Sequence, residues 1–300
     1  MTSPVRCEHL SKRFGRVVAL EDLELDVPDA SVFALIGPNG AGKTTLIKIL
    51  VNILQPSTGR SWVLGTDSRR LCRDEFAHIG YVSENQELPE WMTVDYFLRY
   101  LKGFHADWDD ALAEELLREF QLSRDRRLGQ LSRGMKMKVA LASSLAYHPR
   151  LILLDEPFSG LDPLVREELI EGLLERAAGT TVLISSHDLS EIESFASHVA
   201  FIDAGRLQCS EDITTLTTRF REIEVRLPAT PILPSSWPES WSKPQASATL
   251  VRFVDCRFDI NRTRSEIAQL FPEALDVSVD AMSLRDIFIA LARDLRNPAA

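Results

Sequence analysis

The residue types and spacing best suited to chemistry lie in a glycine-rich stretch near position 40. Gly37, Gly42, Lys43 and Thr44 fit the pattern G-x-x-x-x-G-K-[ST]. In such a loop the backbone N–H groups close around phosphates, the lysine reaches the β- and γ-phosphates, and the next hydroxyl is a Mg²⁺ ligand. The stretch predicts a nucleotide-binding loop formed by Gly37, Asn39, Gly40, Gly42, Lys43, Thr44 and Thr45.

A second candidate group follows the apolar run at residues 151–154, which ends in Asp155 and Glu156. Asp155 is suited to holding Mg²⁺, directly or through water, and Glu156 to polarising a water for attack on the γ-phosphate. Alone, two carboxylates at a strand end are a weak signal. After a phosphate loop, they predict the second half of a nucleotidase site.

The elements around these residues predict an α/β core. Apolar runs at 32–36, 79–82, 151–154, 182–185 and 199–202 are typical of buried parallel strands, and the first of them leads directly into the glycine loop. Apolar residues at helical spacing follow that loop. Residues 93–147 differ, because they predict three helices with no strand between them, within a helical insertion over about 88–147.

With these motifs in place, the chain resembles the ATP-binding subunit of an ATP-binding-cassette (ABC) transporter, over about residues 3–215. Residues 131–135, Leu-Ser-Arg-Gly-Met, stand where the family has its signature, usually LSGGQ. Asp162 falls in the family's D-loop, His187 is at its switch histidine, and Phe14 is at an aromatic that stacks on adenine. The resemblance implies a P-loop core with an antiparallel β subdomain.

The resemblance also implies roles for these residues. Ser132 and Gly134 would grip the γ-phosphate of an ATP bound by a second, facing cassette, in a head-to-tail dimer; alternatively, Ser132 is a plain helix cap. His187 would contact the γ-phosphate or hold Glu156 and its water. Asp162 would serve the D-loop and cap a helix that begins at Pro163, and Phe14 is either an adenine platform or a core residue.

Two segments depart from the family pattern. Arg133 and Met135 replace the usual glycine and glutamine of the signature. At the Q-loop the chain has Ser-Glu-Asn-Gln, so that Glu84 occupies the expected glutamine position and Gln86 follows two residues later. Glu84 is a candidate Mg²⁺ ligand beside Thr44 and Asp155; the sequence leaves open whether Gln86 takes that place instead.

The character of the chain changes near residue 215. Residues 227–249 contain five prolines, several serines, Trp237 and Trp241, which predicts a loop. Short strands flank this segment, and helices follow at 263–270 and 283–295. We therefore expect an ABC domain at 1–215 and a small α/β domain at 216–300. Whether this domain has a dimer-stabilising or regulatory role, or Trp237 and Trp241 merely pack within it, is left open.

Composition limits the partners. The 300 residues carry 34 basic and 44 acidic side chains, a formal charge of −10, which disfavours wrapping nucleic acid or lying on anionic lipid. The four cysteines include no C-x-x-C pair, which fits a reducing cytosol. No apolar stretch is long enough to span a bilayer, and the N-terminus lacks an apolar secretory core. We expect a cytoplasmic subunit on the inner face of the membrane, attached to a separate permease.

The leading hypothesis is an ATPase subunit that closes as a dimer on ATP, reopens on hydrolysis and powers a separate permease. The Ser-Glu-Asn-Gln variant and the C-terminal extension resemble bacterial exporter-type ATPases. The first alternative is an ABC ATPase of ribosome or DNA machinery. The chain has one cassette and a net negative charge, and both features argue against this alternative. A metabolic P-loop kinase would leave residues 131–135 and His187 without a purpose.

Overall fold

The computed structural model describes residues 3–84, 86–176, 179–231, 233–234 and 236–296. The chain forms two compact units that divide between Ser210 and Glu211, five residues before the boundary expected from sequence. The earlier division is explained by Arg219, which pairs with Glu211 and donates a hydrogen bond to the backbone oxygen of Cys256 at 3.0 Å.

The first unit combines two sheets with a group of helices. Its elements are β1 (Val5–Phe14), β2 (Val17–Val27), β3 (Val32–Ile36), α1 (Lys43–Leu50), β4 (Thr58–Val63), β5 (Thr66–Asp67), α2 (Arg73–Phe76), β6 (Ile79–Ser83), α3 (Val94–Lys102), α4 (Asp110–Glu119), α5 (Arg133–Leu145), β7 (Leu151–Asp155), α6 (Pro163–Leu174), β8 (Thr181–Ser186), β9 (His198–Asp203) and β10 (Arg206–Asp212).

The six-stranded sheet positions the candidate site. Its order is β10-β9-β3-β8-β7-β6, and the neighbouring strands from β9 to β6 are parallel. All five predicted parallel strands are confirmed. Because parallel strands end at one edge, the loops after β3, β7 and β8 emerge side by side. Those loops carry the glycine stretch, the Asp155–Glu156 pair and His187.

A second sheet, in the order β2-β1-β4-β5, is antiparallel and encloses a core with α1 and the larger sheet. Fully buried side chains from both sheets and the helix, including Leu10, Leu46 and Phe33, meet in this core. Since α1 directly follows the glycine loop, its buried face anchors that loop against the sheets.

The predicted helical insertion is present as α3, α4 and α5, with no strand between them in this fully described segment. Each helix begins at a side-chain cap: Thr93 accepts a hydrogen bond from the N–H of Tyr96, Asp109 from those of Ala111 and Leu112. Ser132 accepts one from Met135. Caps of this kind satisfy N–H groups that the first turn leaves unpaired.

The second unit is an antiparallel sheet in the order β12-β13-β11-β14 with helices. Its elements are α7 (Ile213–Arg219), β11 (Arg221–Arg226), β12 (Trp241–Ser247), β13 (Leu250–Asp255), α8 (Ile260–Leu270), β14 (Asp276–Ala281) and α9 (Leu284–Arg296). The prediction of a loop throughout 227–249 is wrong, since β12 occupies its end. β12 is an edge strand with a register shift between Ser242 and Gln245, which accommodates Pro244.

The two tryptophans of that segment pack within their own unit. Trp241 is buried, and its ring stacks on Phe253 with centroids 3.9 Å apart. Trp237 lies 6.1 Å from Phe271, against the same core. Of the two roles left open by sequence, internal packing is therefore the one that accounts for these side chains.

Candidate functional site

The glycine loop is shaped by close backbone approaches. At Gly42, φ is +110°, and a Cβ would lie 2.5 Å from the backbone oxygen of Ala19. A Cβ at Gly37 would lie 2.1 Å from the backbone oxygen of Ile202. Both positions therefore require glycine, and the loop leads directly into the N-terminus of α1, where backbone N–H groups without a helical partner suit an anion.

Lys43 begins α1 and is buried. Its ammonium donates to the backbone oxygen of Gly37 at 2.7 Å, and it lies 3.0 Å from Oε1 of Glu156. The lysine predicted to bind phosphates and the carboxylate predicted to activate water therefore form a buried ion pair. A bound anion would have to compete with Glu156 for this ammonium.

Asp155 closes β7 and is held by two hydroxyls. Thr44 donates to its Oδ1 at 3.0 Å, and Ser185 donates to the same oxygen at 2.8 Å. Burial raises the pKa of the Asp155 carboxyl above its ordinary value, while these two hydrogen bonds oppose the rise. The phosphate loop and the end of β7 thus meet at Asp155.

Glu156 lies in a strained backbone conformation, with φ at +50°. A non-glycine residue in this region costs on the order of 1–3 kcal/mol and must be held by its surroundings. Here Ser185 Oγ accepts the Glu156 N–H at 2.9 Å, and His187 Nδ1 lies 2.7 Å from Oε2. One carboxylate oxygen therefore faces the histidine while the other faces Lys43.

These side chains surround a single cavity of about 360 Å³. Asp155 and Gly37 lie one layer further from the cavity. Asp155 is hydrogen-bonded to Thr44 and Gly37 to Lys43, and Thr44 and Lys43 line the cavity. The lining residues are Ala19, Asn39, Gly40, Ala41, Gly42, Lys43, Thr44, Thr45, Glu84, Glu156, Ser159 and His187. The structure thus gathers into one place the phosphate loop, Glu84, Glu156 and His187, which the sequence separates.

Thr44 and Asp155 fit a magnesium ion, because both offer hard oxygen atoms and their side chains are already adjacent. In the described residues, no cluster of three or more histidine, cysteine or carboxylate side chains is arranged to hold a metal unaided. A metal at this position would thus complete its shell with phosphate oxygens and water.

Three site residues expected from the family resemblance, two in the signature and one in the D-loop, lie at helix starts. Ser132 caps α5, and Asp162 caps α6 by accepting the N–H of Val165 at 3.1 Å, so the predicted caps are confirmed. Gly134 is buried, and a Cβ there would lie 2.8 Å from Cγ1 of Val165. Packing between α5 and α6 therefore requires Gly134; its contact with a phosphate stays a prediction.

Glu84 lines the cavity, but its Oε1 is engaged by two donors. Ser159 Oγ lies 3.1 Å away and Arg133 Nη2 lies 3.2 Å away. Gln86 accepts the N–H of Ser83 at 3.4 Å, and Asn85 lies outside the described residues. Which of Glu84 and Gln86 serves the nucleotide stays a prediction.

Phe14 ends β1 and is 45% exposed, with the Lys12 ammonium 4.9 Å from its ring centre. This exposure disfavours the core alternative. Phe14 is absent from the cavity wall, so its stacking on adenine stays a prediction.

Sequence reasoning missed Ser185 and Ser159. Ser185 donates to the Asp155 carboxylate and accepts the backbone N–H of Glu156, because β8 lies beside β7 with Asp155 opposite Ser185. A hydroxyl ending a buried strand was visible in the sequence, but the strand order was not. The contact of Ser159 with Glu84 depends on how two loops that are distant in sequence approach each other.

The sequence model of the ABC transporter family matches residues 20–159. An uncharacterised ABC transporter ATP-binding protein of Nostoc is 39% identical, covering 67% of this chain and 62% of that protein. The daunorubicin resistance ATP-binding protein DrrA2 of Streptomyces coeruleorubidus is 38% identical over 67% of this chain and 65% of its own length. The probable sulfate/thiosulfate import ATP-binding protein CysA of Chlorella vulgaris is 35% identical, covering 67% of this chain and 87% of that protein.

Among solved structures, an ATP-binding subunit of an ABC transporter superposes with a TM-score of 0.66 and 29% identity, covering 72% of this chain and 92% of that one. The chain belongs to the family of ABC transporter ATP-binding subunits, which confirms the expected family and fold class. It spans less than two thirds of the length of the first two relatives.

Proposed function

We propose that this chain binds Mg²⁺·ATP in the cavity and hydrolyses it to drive a separate membrane permease. The observation that carries the proposal is the convergence of Lys43, Glu156 and His187 on one cavity beside the Thr44–Asp155 pair. A phosphate-binding cation, a candidate base and an oxygen pair suited to a metal are the parts that phosphoryl transfer to water requires.

The ion pair between Lys43 and Glu156 indicates how binding prepares hydrolysis. Phosphate oxygens attract the Lys43 ammonium, which frees Oε1 of Glu156 to accept a proton from water, while His187 still holds Oε2. Mg²⁺, held by Thr44 and Asp155, would supply positive charge to the phosphates. The strained, hydrogen-bonded backbone of Glu156 keeps its carboxylate aimed into the cavity.

The test is nucleotide binding and Mg²⁺-dependent phosphate release by the purified chain and Lys43→Ala. We expect the variant to bind ATP about 10- to 100-fold more weakly, because a charge-assisted contact contributes about 1.5–3 kcal/mol. Unchanged ATP affinity and turnover in Lys43→Ala would refute the site assignment.

We further propose that two cassettes close around ATP, with the exposed Ser132 hydroxyl at the start of α5 facing the partner's nucleotide. The helix dipole makes that end attractive for an anion. Glu156→Gln should bind ATP, fail to hydrolyse it and elute as a dimer in gel filtration with ATP. A Glu156→Gln chain that stays monomeric at saturating ATP would contradict this part.

A surface of the helical insertion supports the permease partner. Trp91, Tyr96, Tyr100 and Phe104 are each at least half exposed; we call them the α3 aromatic patch. Trp91 lies 5.8 Å from Tyr96, and Tyr100 lies 5.1 Å from Phe104. Adjacent exposed aromatic rings are typical of protein contact surfaces. In the described residues, no helix combines the length and apolar character that a membrane crossing needs.

The permease is tested by co-purification from membranes. Tyr96→Ser/Tyr100→Ser should lose the membrane protein while keeping ATP affinity, and a control substitution of another exposed apolar residue of the first unit, Ile53→Ser, should lose neither. Co-purification with ribosomes instead would favour the alternative of a non-transport ABC ATPase. Co-purification with a permease would place the chain on the inner face of the membrane.

For direction, we propose export, supported by the similarity to the daunorubicin resistance protein and by the Ser-Glu-Asn-Gln variant. Import is the second candidate, because this chain aligns with 87% of the length of the sulfate/thiosulfate import protein. Transport assays with the co-purified permease in vesicles of known orientation distinguish the two directions.

A further inference from the structure

The two departures from the usual family pattern contact each other. Arg133, in the signature, lies 3.2 Å from Oε1 of Glu84, in the segment after β6. Ser159, in the loop after β7, donates to the same oxygen at 3.1 Å. Three segments far apart in sequence therefore meet at one carboxylate at the cavity wall.

Arg133 stands at a position that does not favour a cation by itself. It is the first residue of α5, where the positive end of the helix dipole disfavours positive charge. Its guanidinium packs against Gly160, since a Cβ there would lie 3.2 Å from Nη1. The contact with Glu84 offsets the unfavourable helix position and fixes the direction of the side chain.

Charge explains what this contact achieves. Two carboxylates, Glu84 and Glu156, line the cavity that takes a polyanionic nucleotide. Glu156 has Lys43 as its cation, and Glu84 has Arg133. Without Arg133, the Glu84 carboxylate would face the phosphates with its charge uncompensated, and like charges in a partly enclosed site repel strongly.

We propose that Arg133 is a positioning residue that neutralises Glu84 and, with Ser159, holds its carboxylate off the nucleotide phosphates. The proposal rests on nucleotide binding in this cavity, as proposed above. It makes the acidic Q-loop residue and the basic signature residue of one chain a functional pair: each is tolerated because the other is present.

The test is a double-mutant cycle on the full chain. ATP and ADP affinities are measured by titration calorimetry in EDTA for the wild type, Arg133→Ala, Glu84→Gln and the double variant. We expect Arg133→Ala to weaken ATP binding about fivefold, the upper range for an exposed ion pair, and ADP binding less. In the Glu84→Gln background the same change should have no effect, and Arg133→Lys should restore most of the affinity.

Lys136→Ala is the matched control. Lys136 is also on α5 and pairs with Glu90 at 3.3 Å, but neither residue lines the cavity. The Lys136→Ala substitution should leave the ATP and ADP affinities unchanged. An equal loss from Arg133→Ala in the wild-type and Glu84→Gln backgrounds, or an equal loss for ATP and ADP, would overturn the pairing of Arg133 with Glu84. A wild-type chain that binds no nucleotide either in EDTA or with Mg²⁺ would instead refute the proposed function, and this inference with it.

Discussion

Buried carboxylates occur in both units, and their surroundings differ. In the second unit Asp255 is fully buried and accepts hydrogen bonds from the Arg257 N–H, from Thr263 Oγ1 and, through both oxygens, from Arg262. In the first unit Glu156 is almost as buried, but its partners Lys43 and His187 line the same cavity.

The difference separates a structural carboxylate from a functional one. Every partner of Asp255 belongs to the β13–α8 connection or to α8 itself, and Asp255 is not part of the cavity wall to which its neighbours Phe253 and Val254 contribute. Lys43, the cation that neutralises Glu156, can instead pair with an incoming phosphate. Burial alone therefore does not mark a catalytic acid; burial beside a cavity, with an exchangeable partner, does.

Glu156→Gln provides the sharpest test of this comparison. Removing a general base slows a reaction by about 10²–10⁴-fold, so steady-state phosphate release should fall by that factor. Because Glu156→Gln also leaves the buried Lys43 ammonium uncompensated, the unfolding midpoint of the first unit should fall as well. Asp255→Asn, the matched amide substitution in the second unit, should destabilise that unit and leave phosphate release unchanged. Similar turnover losses in both variants would remove the distinction.

Lys43→Ala tests whether the Lys43–Glu156 pair also stabilises the nucleotide-free fold. Removing one partner of a buried ion pair leaves the other uncompensated, so we expect the free energy of unfolding to fall by about 3 kcal/mol. Urea titration without nucleotide measures it. Lys43→Ala/Glu156→Gln should recover much of the loss, since the buried charge is then gone; no recovery would show that the pair is not coupled.

Arg262→Met should weaken the second unit alone. Arg262 bonds both oxygens of Asp255, and losing hydrogen bonds to a charged group costs about 1.5–3 kcal/mol. The expected result is that the second unit unfolds at a lower denaturant concentration, monitored by tryptophan fluorescence, with ATP affinity unchanged. A drop in ATP affinity at full folding would show that Asp255 is not purely structural.

Glu84→Gln should have the smallest effect. Arg133 compensates the Glu84 charge through a partly exposed ion pair, which leaves a small residual negative charge near the phosphates for Mg²⁺ to offset. ATP affinity should therefore depend slightly more steeply on Mg²⁺ in the native chain than in Glu84→Gln. ATP titrations across Mg²⁺ concentrations measure this, with Gln86→Ala beside them. If only Gln86→Ala matters, and it uncouples hydrolysis from the permease, the two roles are reversed.

Local patterns predicted much of the first unit. The parallel strands, the glycine loop before α1 and the caps Ser132 and Asp162 depend on residues close together in the chain, so the sequence shows them directly. The second unit was predicted less well: β12 was missed because proline-rich composition indicates a loop, whereas an edge strand tolerates Pro244 at its irregular pairing.

The sequence by itself determined the chemistry available: a phosphate loop, an Asp-Glu strand end and a histidine, in an order that resembles one family. The tertiary structure decided which of them meet. Thr44 and Asp155 are 111 positions apart, and Glu84 and Arg133 are 49 apart, yet each pair is in contact. Such contacts depend on strand order and loop approach, which arise from burial of the whole core rather than from any local run of residues.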